Sequence, residues 1–529
     1  MSYIDAGLIF LVLPILILVY NLLPKKARPV LLLLFSLGFF YYISKFLVVF
    51  LLLSIVSVFF IAKAINKVYE KRDKLIEKEP DKKKELKEKY KRIAKWILLF
   101  GIIFNVSFLF YFKYLNFFKE NTNLLFKFFN INFSFKLLKY AAPIGISFYT
   151  LSALSYILDV YFEKIKADKN ILRVGLYLSF FPQIMEGPIA RYNDTAEDLY
   201  AGKRTTYKGF CFGYQRILYG FLKKIIIADR LNVIVGMVFD GYNMYNGATV
   251  ALGVIAYTIM LYMEFSGTMD VVIGMSEIFG IKVPENFRQP FFAKNISEFW
   301  TRWHISLGLW FRDYIFYPVS LSKKMKKLTI NARKVLGNRF GPLISGAVAL
   351  FAVWSLNGLW HGAGYTFLLF GMYHFVMILM GNIFEPTVKN VCEKLHINRE
   401  KTWYRILQSV KMTIFIFIGE LFFRANTVPA AFGMLKRIFT KFNLIDTIKT
   451  GECLSLGLDI YDFLIILVVG IAIFIISLLK EKNHDVREEI SKKNVFLRWA
   501  IYYLLILSII IFGAYGPGYI PVDPIYADF

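Results

Sequence analysis

Apolar residues recur along the chain in long runs separated by short, strongly charged stretches. The runs cover residues 6–23, 30–44, 46–62, 96–116, 141–162, 248–263, 343–357, 362–382, 403–423, 460–479 and 496–514. A helix needs roughly 17–25 mainly apolar residues to cross a hydrocarbon core. Backbone groups there must bond within the segment, so such runs fold as helices. The pattern therefore predicts an all-α, polytopic integral membrane protein with about 11 spans. Residues 171–186 and 207–240 are also apolar but are broken by Pro, Gly and charge. They read as re-entrant or interfacial helices.

The polar stretches carry the charge. Residues 63–95 hold 14 Lys/Arg against 7 Asp/Glu at helical spacing, which predicts a solvated helical hairpin or helix extension. Residues 323–334 and 480–498 are basic as well. Excess Lys/Arg beside span ends marks the cytoplasmic side. The first run is followed by Lys25, Lys26 and Arg28 and has no Lys or Arg ahead of it to match a leader, so it reads as the first membrane helix with its N-terminus outside. Counting spans from there puts 63–95 in the cytoplasm, as its charge does. Residues 384–402 and 480–495 are shorter polar connections, so residues 1–529 are expected to form a single membrane-embedded domain. The tail from Gly513 to Tyr519 and beyond is too rich in Gly and Pro for a helix and reads as an extended segment leaving the membrane.

Composition agrees. Hydrophobic residues make up 57% and aromatics 18%, with mean hydropathy +0.51, which excludes an ordinary soluble globule. The net charge of +26 sits in loops, where anionic lipid attracts it, so no nucleic-acid partner is needed. Cys211, Cys392 and Cys453 are far apart, which implies neither a disulfide framework nor a metal site. No P-loop, dinucleotide-binding glycine pattern or nucleophile elbow occurs, so energy must arrive in an activated substrate or from a partner.

Residues 140–320 differ from the rest. Their apolar runs are interrupted by Pro182, Glu186, Gly187, Pro188, Arg191, Glu264, Asp270, Pro284 and Pro290. Broken helices at membrane depth persist where protein or water satisfies the freed backbone, so a polar cavity or tunnel is expected here. Glu186 or Asp270 paired with Arg191 or Arg216 is the simpler structural use of these charges.

Chemistry is expected at two of the five histidines. His304 and His361 each follow a tryptophan inside apolar, aromatic-rich sequence, whereas His396 and His484 lie in polar stretches. An ionisable group at bilayer depth is a functional candidate, and imidazole moves protons near neutral pH. Read as one helix, the stretch 298–314 pairs Glu298 with Arg302 and puts His304, Gly308 and Phe311 on one face. That stretch also suits an interfacial helix with a structural histidine. His361 is flanked by Gly358 and Gly362, which permit close approach of backbone or ligand. His374, 13 residues on, points away from His361 on a straight helix and reads as a packing group.

Taken together these blocks resemble the membrane-bound O-acyltransferase superfamily, in particular its bacterial alginate and peptidoglycan O-acetyltransferase branch. The resemblance rests on Pro143 to Thr150, Phe180-Phe181-Pro182-Gln183 with Gly187-Pro188-Ile189, and Glu264-Phe265-Ser266-Gly267. It continues through Pro284-Glu285-Asn286-Phe287, Phe299-Trp300 with Arg302-Trp303-His304, Gly358 to Ala363 and Phe422 to Asn426. These blocks span 140–430, which would be the catalytic core. Glu264 stands where such proteins often have Asp, and Thr301 where they often have Arg. Residues 318–321 lack the Gly-Gly-Asn-Arg common in alginate-type members.

The resemblance implies tilted helices around a central tunnel, with His361 as the catalytic histidine and His304 as a second active-site histidine. Asn357, Trp303, Arg302 and Glu264 would line or support the tunnel, together with Ser266, Asp270, Glu186 and Gln183. It implies no bound cofactor and no metal. Acetyl-CoA or another acyl thioester would be the donor, reaching the tunnel from the cytoplasm. The acceptor would be an extracytoplasmic polysaccharide, directly or through a secreted or anchored esterase-like acyltransferase partner. The setting would be the bacterial cytoplasmic membrane. D-alanyl transfer to teichoic acid is the activity of a sister group. A proton-coupled transporter is the competing class; the inverted repeat that would favour it is not visible.

Overall fold

The computed structural model describes residues 5–138, 141–514 and 519. Among them the secondary structure is helical, and the one extended pairing is an isolated antiparallel bridge between Phe287 and Trp303. Eight helical stretches among the described residues are long and apolar enough to cross a membrane. The protein is thus a multi-pass membrane protein of the all-α class.

Eight is fewer than the eleven runs in the sequence, for two reasons. The runs 30–44 and 46–62 join through a single tight turn into one stretch, Arg28–Lys78. The first run and the run 141–162 give helices of shorter length, Leu8–Leu22 and Ile146–Tyr161. The latter starts late because Gly145 caps it in the left-handed conformation, at φ +73. A side chain at Gly145 would meet the Ile184 carbonyl at 1.8 Å, so glycine is required on two counts.

The chain forms two compact units. Among the described residues, the first contains those up to 213 and 272–284; the second contains 214–271 and those from 285 to 519. Within the first unit lie α1 (Leu13–Leu22), α2 (Arg28–Ser44), α3 (Val48–Lys78), α4 (Lys83–Leu109), α5 (Ile146–Tyr161) and α6 (Ile171–Ser179). Helices α3 and α4 form the hairpin expected for 63–95, turning at Pro80–Lys82. Gly101 lets α4 approach α3 and α5 closely; a Cβ there would sit 2.8 Å from Ile61 and 3.2 Å from Ile157. At the polar end of α3, Tyr69 donates to the Tyr161 carbonyl at 2.8 Å, and Arg72 grips Glu163 through two bonds of 2.7 Å.

The second unit is built around the first part of α8 (Gly247–Ile278), which follows α7 (Tyr207–Phe221) and a π-helical segment, Leu222–Ala228. It continues through α9 (Ile296–Arg302), α10 (Ile305–Phe311), α11 (Leu343–His361), α12 (Tyr365–Lys394) and α13 (Thr402–Arg424). It ends with α14 (Ile460–Glu481) and α15 (Val495–Phe512). The apolar window of α8 is 72% buried, against 11% for α14 and 6% for α15, so α8 is a core helix and the last two present apolar sides to lipid. Arg230 pairs with Asp462 at 2.9 Å and fixes the start of α14. Beyond α15, Gly513 and Ala514 leave the helix; 515–518 and 520–529 of the expected tail lie outside the described residues.

Candidate functional site

The stretch 298–314 is not one helix. Helix α9 ends at Arg302, Trp303 is extended, and His304 takes the left-handed conformation at φ 47 and ψ 50 before α10 begins. A non-glycine residue in that region costs about 1–2 kcal/mol, so the surroundings must enforce it. The loop 285–289 does so. Ile305 donates to the Asn286 carbonyl at 3.0 Å, and Arg288 donates to the Arg302 carbonyl at 2.9 Å. The fully buried Asn286 accepts at Oδ1 from the Ser306 amide (3.0 Å) and hydroxyl (2.9 Å). The same oxygen lies 3.3 Å from His304 Nδ1. The kink aims the imidazole inward, where a continuous helix would leave it on a helix face.

His361 is placed by a different device. It is the last residue of α11, and Gly362 turns the chain into extended backbone. A Cβ on Gly358 would lie 2.5 Å from the Phe367 carbonyl, and one on Gly371 2.4 Å from the Trp354 carbonyl. The glycines thus let α11 and α12 cross at close range. What fills the space beside Gly362 is the protein's own Phe367, whose ring a Cβ there would meet at 2.1 Å.

The two histidines converge on Trp360. The His304 ring lies 5.7 Å from the Trp360 ring and 4.8 Å from Phe265; the His361 ring lies 5.0 Å from Trp360 and 5.1 Å from Phe423. Both imidazoles are buried. His361 lines a cavity of about 20 Å³, room for one water. Its other walls are Leu261, Phe265, Trp300, Trp303, Phe370, Glu420 and Phe423. His374 braces this wall. It accepts from Trp300 Nε1 at 3.3 Å, stacks on Trp354, and fits only because residue 419 is glycine.

A second cavity, of about 50 Å³, is polar. Arg216, Lys223, Asp270, Glu285, Asn286 and Lys480 contribute to it, so Asn286 both lines this chamber and touches His304. Arg216 pairs with Asp270 at 2.9 Å and with Glu285 through two bonds of 2.7 and 2.5 Å. Lys223 donates to Asp270 at 2.6 Å and to Ser266 Oγ at 3.2 Å. Consecutive residues of α8 divide the labour: Phe265 walls the histidine cavity and Ser266 the polar one. Lys223 belongs to the π-helical segment, a local widening that recurs at functional sites.

The candidate residues therefore separate. His304, His361 and Trp303 come together, and Ser266 and Asp270 line the adjoining polar chamber. Asn357 is buried one turn before His361, with its Oδ1 making no hydrogen bond. Glu264 is fully buried and accepts a long bond from Thr268, 3.5 Å, but lines neither chamber. Arg302 lies in neither cavity. It pairs with Glu298, as its spacing predicts, and with Glu481, each at 2.8 Å, tying α9 to the end of α14. Of the expected alternatives for Asp270, Arg216 is the partner. Gln183 and Glu186 belong to the first unit. Gln183 donates to the Pro188 carbonyl at 3.3 Å and lines a small cavity with Tyr149 and Tyr177, while Glu186 is buried in the turn that follows.

Glu420 was not singled out in the sequence, and Asn286 and Trp360 entered it only as members of motif blocks, with no role of their own. Asn286 sits in a Pro-bounded loop and is polar without being ionisable. Glu420 stands inside an apolar run, the same signal that singled out Glu264. Among the described residues no group of His, Cys, Asp and Glu could hold a metal ion.

Residues 35–333 match the pattern of MBOAT, the membrane-bound O-acyltransferase family. The chain is 32% identical to a probable alginate O-acetylase of Pseudomonas syringae pv. tomato, over 66% of this chain and 61% of that protein. A probable alginate O-acetylase of Azotobacter vinelandii is 32% identical over 72% of this chain and 70% of its own length. The peptidoglycan O-acetyltransferase of Helicobacter pylori is 29% identical over 66% of this chain and 64% of its own length. The chain thus spans about three fifths of the length of the first of these relatives. By the extent of these matches, the chain belongs to the membrane-bound O-acyltransferase family.

Proposed function

We propose that this protein transfers an acyl group, acetyl in the main reading, from a thioester donor to a hydroxyl acceptor, with His361 as general base. The convergence of His304 and His361 on Trp360 carries the reading. An alcohol is a weak nucleophile until a base takes its proton, and a positioned imidazole does this with a gain of about 10²–10⁴-fold. The imidazole of His361 takes the hydroxyl proton as the oxygen attacks the thioester carbon. The C–S bond then breaks, and the imidazolium returns the proton to the thiolate. His304, held by Asn286 and packed against Trp360, orients the reacting groups. The apolar walls exclude bulk water, which favours transfer over hydrolysis.

The polar chamber suits the donor. Arg216, Lys223 and Lys480 outnumber Asp270 and Glu285, so the chamber favours an anionic group such as a phosphate on the thiol carrier. The basic 63–95 hairpin and the basic 480–498 segment support a cytoplasmic donor side. The acceptor would then come from outside, as an extracytoplasmic polysaccharide or an esterase-like partner that passes the acyl group on. On this reading residues 1–529 act as one catalytic domain and need no bound cofactor. D-alanyl transfer is the second reading. It is favoured by 33% identity to the teichoic acid D-alanyltransferase of Bacillus subtilis, over 53% of this chain and 68% of that protein.

Purified protein in lipid vesicles, offered acetyl-CoA and a soluble hydroxyl acceptor, should release free thiol in step with acceptor acetylation. Turnover with a D-alanyl thioester and none with the acetyl donor would select the second reading. Turnover with neither would contradict both.

A further inference from the structure

One buried carboxyl in the second unit has no part in the reaction as just described. Glu420 lies on α13, 2% exposed, with Oε2 making no hydrogen bond. Among the described residues its carboxyl enters no ion pair. Arg424, one turn on, is occupied elsewhere: its guanidinium lies over the Phe239 ring at 5.4 Å and donates to Asn426 Oδ1 at 3.1 Å. Glu420 lines the same small cavity as His361. Phe423, three residues on and on the same helix face, packs 5.1 Å from the His361 ring. Gly419 holds α13 close by admitting His374, whose Nε2 would lie 2.5 Å from a Cβ there.

A carboxyl in an apolar wall is costly unless a donor or a cation completes it. The walls offer aromatic and aliphatic side chains, and Tyr257 is within electrostatic reach of both Glu420 and Glu264. The cation that arises in this cavity is the imidazolium formed when His361 takes the hydroxyl proton. We propose that Glu420 is a positioning residue whose carboxylate pairs with that imidazolium. The inference rests on the reading of His361 as general base. A partner that engages only when charge develops lowers the barrier without tightening substrate binding. Glu420 should therefore act on kcat and leave donor affinity alone.

The test uses full-length protein in lipid vesicles with Glu420→Gln and Glu420→Asp, each measured for kcat, donor KM and the Kd of a non-transferable thioether analogue of the donor. Glu420→Gln keeps the shape and removes the anion. It should lower kcat about tenfold or more with KM and Kd unchanged, and Glu420→Asp should recover part of the loss. Wild-type kcat in Glu420→Gln would overturn the proposal. So would a loss confined to KM or Kd, which would make the carboxyl a substrate-binding or structural group. If Glu420→Gln does not accumulate, Glu420→Asp decides alone: a fall in kcat at unchanged Kd supports pairing, and lost Kd overturns it. His361→Ala separates the two claims. An inactive His361→Ala beside a fully active Glu420→Gln rejects only the role of Glu420, whereas an active His361→Ala rejects the general-base reading itself.

Discussion

At the scale of single residues, the site depends on one neutral side chain as much as on its two imidazoles. Asn286 Oδ1 gathers the Ser306 amide, the Ser306 hydroxyl and the His304 ring, and this network holds His304 in a backbone conformation it would otherwise avoid. Asn286→Ala strands the buried Ser306 amide and hydroxyl, at a cost of about 1–3 kcal/mol for the unsatisfied groups, and frees the kink. Acyl transfer should fall by about a hundredfold, while Asn286→Asp, which keeps the acceptor oxygen, should retain more activity. Equal activity of Asn286→Ala and wild type, at matched abundance, would remove this residue from the site. The sequence pointed to both histidines because ionisable groups stand out in apolar runs. It placed Asn286 in a motif block but gave it no role, because its importance comes from where a loop folds back. The same rule that marked Glu264 covers Glu420, yet of the two only Glu420 lines the cavity with His361. Burial is legible in a sequence; which chamber a buried group faces is a property of packing.

At the scale of elements, periodicity located the helices well and their interruptions poorly. The α3–α4 hairpin follows from its Lys/Glu alternation, and the Glu298–Arg302 pair follows from its spacing. The break at Trp303-His304 does not, because no Pro or Gly marks it; the antiparallel bridge from Phe287 to Trp303 imposes it from outside the segment. Gly358 and Gly362 were legible as sites of close approach, but the approaching group is Phe367 of the neighbouring helix. Gly358→Ala should therefore act as an overpacking change, costing about 1–3 kcal/mol. Thermal unfolding in detergent should begin at a lower temperature, and activity should fall because α11 carries His361. An unaltered melting temperature with full activity would show that α11 and α12 have room to separate.

At the scale of the whole molecule, charge and hydropathy fix the class, and the arrangement of basic segments sets the orientation we assign. Single cysteines introduced between 63 and 95 in intact cells should react with membrane-permeant thiol reagents and resist impermeant ones. Labelling by the impermeant reagent would exchange the donor and acceptor sides. Beyond orientation, the account stands on one residue. His361→Ala removes an imidazole from a cavity wall without touching the glycine-mediated contact of α11 with α12, so the protein should insert and accumulate as wild type does. The direct measurement is acyl transfer by His361→Ala in lipid vesicles, at protein levels matched to wild type. We expect a loss of at least about a hundredfold, the lower end of what a general base supplies. Retention of more than about a tenth of wild-type activity would contradict the assignment of His361 as the base.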